Sequence, residues 1–245
     1  MMRIILTAAF LILPNSFLFA SYDEALKLYE AKKYAESLKV IAGELDVKKD
    51  MEKDAPNYNL RFLAAHNHWK TGNITSAVSH LKRCAEIKND IPDPLIDLAL
   101  LMLDNKRYGD ANFYAQSAIK KAYNPASYYI LGKSAMKTGN YYKAKEYLEK
   151  AVSLDPESWF YYNDLGMVLM NMKKFSEANT AFSAAASMSD SVEVINNLGL
   201  SLELAGRLDE AMSYFNKADE MMPGNTVIKE NINRLKGKIN AAPKK

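Results

Sequence analysis

The side chains with the most chemical capacity in this 245-residue chain are three histidines, His66, His68 and His80, and a single cysteine, Cys84. His66 and His68 stand two apart in a helical segment, so they point in different directions and do not converge on one metal. His80 belongs to the next helix, and Cys84 occupies a position that is alanine elsewhere in the chain, which reads as a small core residue and not a nucleophile. No HExxH, CxxC, GxxxxGK[ST] or GxSxG segment is present, so no base, metal cage, phosphate cradle or activated serine is spelled out. These residues predict no catalytic group, no metal site and no cofactor. One cysteine also excludes an intramolecular disulfide.

What the chain does spell out is steric. Alanine recurs at Ala77, Ala111, Ala144, Ala178 and Ala211, in steps of 34, 33, 34 and 33. Three residues before each stands an apolar anchor: Ile74, Tyr108, Tyr141, Phe175 and Leu208. Leu131-Gly132, Leu165-Gly166 and Leu198-Gly199 repeat upstream at the same period, and Ala118, Ala151, Ala185 and Ala218 repeat downstream. Small residues at fixed intervals let two helix axes approach closely, while the leucines and aromatics beside them fill the remaining space. Gly139 suits the left-handed turn between two such helices, and Pro156 and Pro223 end them. Several columns locked to one period of 33 or 34 mark stacked helix–turn–helix units. No segment alternates with strand period, so the chain is all-α.

The stretch Pro125–Pro156 carries the pattern most fully, and it resembles the tetratricopeptide repeat (TPR) family. The resemblance implies a right-handed superhelical solenoid of about six helical hairpins plus a C-terminal capping helix. Five units are expected at about 58–91, 92–124, 125–158, 159–191 and 192–223, with a capping helix over 224–240 and a tail over 241–245. A weaker hairpin over 21–57 precedes them, with Tyr22–Glu30 and Tyr34–Leu45 as its helices and Ser37 where alanine is expected. The charged run Asp46–Asp54 reads as a solvated loop or extra turn. Unit two uses Ala65 for the glycine, and unit three uses Ala99 there and Lys106 at its turn.

Met1-Met2-Arg3 followed by the apolar run Ile4–Leu13, a break at Pro14 and a small residue at Ala20 is the layout of a signal peptide over 1–20. It predicts export to the periplasm or beyond; the alternative is an uncleaved N-terminal anchor. No other stretch approaches the apolar length of a membrane span. The formal charge of +3 becomes +2 without Arg3, and this near balance argues against a nucleic-acid footprint.

In the TPR family the first helix of each pair lines a concave groove that takes peptides. Carried onto this sequence, the resemblance implies Phe62, His66, Trp69 and Lys70 in unit two and Ile96, Asp97 and Leu100 in unit three. The partner-binding groove is expected to centre on Tyr129, Lys133 and Met136 of unit four and on Phe160, Asn163, Asp164 and Met167 of unit five. Unit six adds Asn196, Asn197 and Leu200. Asparagine amides can bond a peptide main chain, and the methionines and aromatics supply adaptable apolar area. Lys133, Lys137, Asn163 and Asn197 approximate a carboxylate clamp, but Asp164, Glu193 and Glu203 place acid beside them, which would repel an acidic tail. Unit six, NNLGLSLELAGRLDEAMSYFNKA, with the later Glu230-Asn231, resembles bacterial tight-adherence (Flp) pilus assembly TPR proteins. The expected function is a non-catalytic scaffold of the bacterial envelope or secretion apparatus that binds a protein or peptide partner. The alternative is a membrane-anchored or self-associating structural protein, as in pilus assembly.

Overall fold

A computed structural model describes residues 16–45 and 57–241, with side chains from Ser21 onward. Among the described residues the secondary structure consists of thirteen α-helices with no strand. They divide into two compact units, one ending at Tyr123 and one beginning at Asn124. The N-terminal unit holds α1 (Ser16–Glu30), α2 (Tyr34–Glu44), α3 (Tyr58–Lys70), α4 (Ile74–Ile87), α5 (Asp93–Asp104) and α6 (Tyr108–Ile119). The C-terminal unit holds α7 (Pro125–Lys137), α8 (Tyr141–Leu154), α9 (Trp159–Asn171) and α10 (Phe175–Met188). It continues with α11 (Val192–Leu204), α12 (Leu208–Met221) and α13 (Thr226–Ala241). Inside each unit every helix packs on the next in the sequence, which is the helical-hairpin solenoid that the repeat spacing predicts.

The hairpin turns share one backbone device. The second residue before each second helix is left-handed: Lys32, Gly72, Lys106, Gly139, Lys173 and Gly206 have φ between +59° and +79°. At the α7–α8 turn the Gly139 N–H donates to Met136 O at 3.1 Å and the Asn140 N–H to Ala135 O at 2.9 Å, capping the last carbonyls of α7. Asn140 then accepts from the Lys143 N–H and starts α8. Three of the six turns do this with lysine, at the cost of crowding its Cβ against backbone.

Close approach within each hairpin depends on matched sizes across it. A Cβ added at Gly132 would lie 2.7 Å from Leu148, one at Gly166 would lie 2.7 Å from the Phe182 ring, and one at Gly199 would lie 2.8 Å from the Phe215 ring. Where the first helix carries alanine instead, at Ala65 and Ala99, the corresponding second-helix positions are Leu81 and Ala115, and all four are buried. In unit three the alanine for glycine is one half of a compensated pair, since Ala115 stands where Leu148, Phe182 and Phe215 stand in later units.

Ser37 in α2 is buried, and its hydroxyl donates to Ala25 O at 2.7 Å while accepting from Asn67 Nδ2 at 3.1 Å. It fastens α1, α2 and α3 together, a role that alanine could not fill. The described part of α1 reaches back to Ser16, before the expected Tyr22, and SFLFASYDEALKLYE contains neither proline nor glycine to interrupt it. The expected loop at Asp46–Asp54, the residues before Ser16 and the end of the tail lie outside the described residues. Helix α13 buries Ile228, Ile232 and Leu235 in the same core as Ala211, Phe215 and Ala218.

Candidate functional site on the first helices

The sequence-predicted groove residues sit on the first helices of the hairpins, and many of them bond to the first helix of the next hairpin. In the C-terminal unit Lys133 Nζ lies 2.8 Å from Asp164 Oδ2, and the Tyr129 hydroxyl donates to the same oxygen at 2.8 Å. Asn197 Nδ2 donates to Asn163 Oδ1 at 3.1 Å, and Asn231 Nδ2 to Asn196 Oδ1 at 2.8 Å. The partners are 31 to 35 residues apart, one repeat and a small offset, so the repeat spacing itself brings each pair together. Burial raises the Tyr129 phenol, and the Asp164 carboxylate beside it raises it further, so it stays a neutral donor.

This ladder divides the predicted residues into two sets. Asn163, Asp164 and Asn197 are buried and serve the contact between hairpins. Tyr129, Lys133, Met136, Phe160, Met167, Asn196 and Leu200 are half-buried and keep surface on the same face. Phe160 meets the Tyr129 ring edge-to-face at 5.4 Å, and Tyr161 beside it is buried, so part of the aromatic run belongs to the core. Glu203 differs from expectation. It is buried, with Arg234 Nη2 at 2.6 Å and Lys238 Nζ at 2.7 Å, so α13 neutralises the acid that the sequence reading assigns to the groove. Burial raises its carboxyl, but hydrogen bonds from Arg234 and Lys238 outweigh that and hold it below the usual glutamate range. The 35-residue step from Asn196 to Asn231, equal to that from Tyr129 to Asp164, is the sequence signal that could have revealed α13 as a partner of this face.

The N-terminal unit builds its face from other chemistry. His66 Nε2 lies 3.0 Å from Asp97 Oδ2, both side chains being at least nine-tenths buried. The contact lacks hydrogen-bond alignment, so these two atoms and His66 Nδ1 are buried without an aligned partner among the described residues. Rings surround the pair: Phe62 edge-on to His66 at 4.8 Å, Trp69 stacked at 6.2 Å and Tyr29 edge-on at 6.5 Å. Tyr58 stacks on Phe62 at 5.8 Å.

His68 turns away from His66 and stacks on His80 at 5.5 Å, as their two-residue separation requires. Burial, then His68 and Arg61, pushes the His80 imidazolium down to about 4. Burial is also the main cause that pushes the Cys84 thiol up to about 12, and its Sγ faces Tyr58 O at 3.7 Å. A thiol so hard to ionise is a packing residue. Among the described residues no three His, Cys, Asp or Glu side chains are placed to hold a metal, and no helix is long and apolar enough to cross a membrane.

Models described as tetratricopeptide repeat match residues 58–91, 125–158 and 163–226, more than half of the chain. The chain belongs to the tetratricopeptide repeat family. No curated protein sequence matches it significantly. Solved structures match widely. The crystal structure of PilW, a widely conserved type IV pilus biogenesis factor, superimposes with a TM-score of 0.74 at 14% identity, covering 90% of this chain and 99% of that one. Pseudomonas aeruginosa PilF gives 0.73 at 13% identity, covering 90% and 97%. The APC/C hetero-tetramer Cut9–Hcn1 gives 0.70 at 15% identity, covering 89% of this chain but only 42% of that one. YrrB, a TPR protein with an unusual peptide-binding site, gives 0.61 at 18% identity, covering 75% and 95%. At these identities the likeness establishes the fold. Members of this family are generally non-catalytic scaffolds for protein–protein contact.

Proposed function

We propose that this chain is a non-catalytic scaffold of the bacterial cell envelope or secretion apparatus that holds a protein partner against the first-helix face of its repeats. One observation carries the reading: the C-terminal unit bonds Asn163, Asp164 and Asn197 between its own hairpins and still leaves Met136, Phe160, Met167 and Leu200 half-exposed on one face. Polar groups bonded between hairpins keep the face rigid, and pliable thioethers beside them adapt to a segment laid across it. The layout of residues 1–20 supports export, to the periplasm or beyond.

A photo-crosslinking residue at Met167 or Leu200 should capture a partner from an envelope fraction. The same residue at Glu146 or Asp209, on the exposed side of second helices, should not. Equal capture from both faces, or none from the first-helix face, would refute the reading. A second reading, assembly of a pilus or of copies of this chain, draws support from the pilus proteins PilW and PilF, each matched over 90% of this chain. Light scattering on the purified chain separates the two, since a strict monomer argues against self-assembly.

A further inference from the structure

The N-terminal unit carries a second, chemically distinct surface on its first helices. Four rings line one stripe of α3: Tyr58, Phe62, His66 and Trp69, at helical spacings of four, four and three. Beside it α5 presents Asp93 and Asp97, one turn apart. Asp97 is buried, and its Oδ2 lies 3.0 Å from the His66 imidazole without hydrogen-bond alignment. A desolvated carboxylate in that position lacks the full complement of donors it would have in water. Aromatic faces beside an unsatisfied carboxylate form a surface to which cations are attracted, through ring quadrupole and charge together. The chain already demonstrates the attraction on this stripe: Lys88 Nζ sits 4.2 Å over the Tyr58 ring. Among the described residues no such cation lies over Phe62, His66 or Trp69, and Phe62 and Trp69 are half-exposed.

The field at the site agrees with this geometry. Burial first, then Cys84, Asp93, Asp97 and Asp90, raises the Tyr58 phenol, and burial, Tyr34 and Asp97 raise that of Tyr29. Both hydroxyls therefore sense a concentration of negative charge at this end of the face. The comparable position of the C-terminal unit has Lys133 on Asp164, so its carboxylate is already neutralised within the fold.

We infer that the half-exposed Phe62 and Trp69 rings, with the exposed Asp93 carboxylate and the charge of the buried Asp97, form a docking site for a cationic side chain of a protein partner, a guanidinium stacked on the rings and drawn by the carboxylates. A planar guanidinium offers both the stacking face and several donors, which suits this pairing of rings and acid. The inference rests on the scaffold reading above and names the chemistry of one partner contact.

The test uses the full chain at neutral pH with acetyl-Leu-Arg-Leu-amide as probe. Its control is the same tripeptide with citrulline, which keeps the shape and loses the charge. The indole N–H resonance of Trp69 is assigned by its loss in Trp69→Phe and followed during titration. A saturable shift is expected with the arginine probe, at least tenfold weaker with citrulline, and at least tenfold weaker in Asp93→Asn and in Asp97→Asn. Asp93 is exposed, so its variant reports on the site even if the Asp97 substitution disturbs folding. Equal response to the two probes, no response to either, or an undiminished response in Asp93→Asn would overturn the inference. Any of these alongside successful crosslinking at Met167 or Leu200 leaves the scaffold reading standing. Failed crosslinking with a charge-dependent Trp69 shift would do the reverse.

Discussion

The two units hold neighbouring first helices in one register with different chemistry. In the C-terminal unit the contact is an ion pair, Lys133–Asp164, followed by two amide pairs, Asn163–Asn197 and Asn196–Asn231. In the N-terminal unit the equivalent of Lys133 is His66, set against Asp97 and enclosed by rings. The lysine is paired with an aspartate that also accepts from the Tyr129 hydroxyl, whereas the imidazole in the same place leaves polar atoms unaligned. The C-terminal contact is consequently neutralised within the fold, and the N-terminal contact keeps buried polar atoms without an aligned partner among the described residues. All three histidines of the chain lie in the N-terminal unit, which concentrates its response to pH there.

This contrast is open to challenge by substitution, and the largest effect is expected at its centre. His66→Ala strands Asp97 in a buried site and should cost about 3 kcal/mol, the scale of removing one member of a buried pair. Lys133→Ala should cost about 1 kcal/mol, because Asp164 keeps the Tyr129 hydroxyl and Lys133 is partly solvated. Urea denaturation of both variants measures the difference. Equal costs would mean that the two contacts are alike in spite of their chemistry.

The hairpin interiors should give the next largest effect. Gly166→Ala drives a Cβ into the Phe182 ring and should destabilise by roughly 2 kcal/mol. Ala65→Gly in the N-terminal unit, facing the Leu81 position, should cost only about 1 kcal/mol through lost helix propensity. If Gly166→Ala proves neutral, the matched sizes across the hairpin are not what sets the helix spacing.

A response to acid follows from His80. The unfolded chain takes up this proton near pH 6.5 and the folded chain only near pH 4, so stability falls as pH drops through that window. The loss is on the order of 1–2 kcal/mol once solvent screening of a partly exposed ring is allowed for. Hydrogen exchange resolved by segment should show the N-terminal unit loosening first. The C-terminal unit should hold until pH falls through the lowered titration of Glu203, whose stabilising contribution is present above its unfolded value and lost below. His80→Gln should remove most of the N-terminal response, the remainder coming from His68, whose imidazolium burial also lowers.

The smallest effect is a gain. Lys106→Gly and Lys173→Gly relieve left-handed strain at one turn in each unit and should each stabilise by about 0.5 kcal/mol, after the entropic cost of glycine. Thermal unfolding measures it, and a loss at either site would show that the lysine side chain contributes more than its backbone costs.

Much of this architecture is written locally. The alanine columns, the glycines of the first helices and the turns at Gly72, Gly139 and Gly206 repeat because each hairpin solves the same packing problem with the same few small residues. Periodicity of that kind survives in the chain as spacing, so the helices and their order can be read without coordinates. The candidate face was legible only as a set of columns. Which of its residues keep surface and which are used up depends on partners about one repeat away, and a column does not record its neighbour. Asn163 and Asn197 read as peptide ligands in isolation and turn out to bond each other. Glu203 reads as groove acid until α13 brings Arg234 and Lys238 against it. Ser37 reads as a defect until its hydroxyl is seen joining three helices. The sequence by itself determined the repeat, its turns and the apolar seam, because these depend on size and spacing within one hairpin. Only the tertiary structure decided where charge is satisfied and where it is left over, because that depends on which side chains from successive hairpins come within hydrogen-bonding distance.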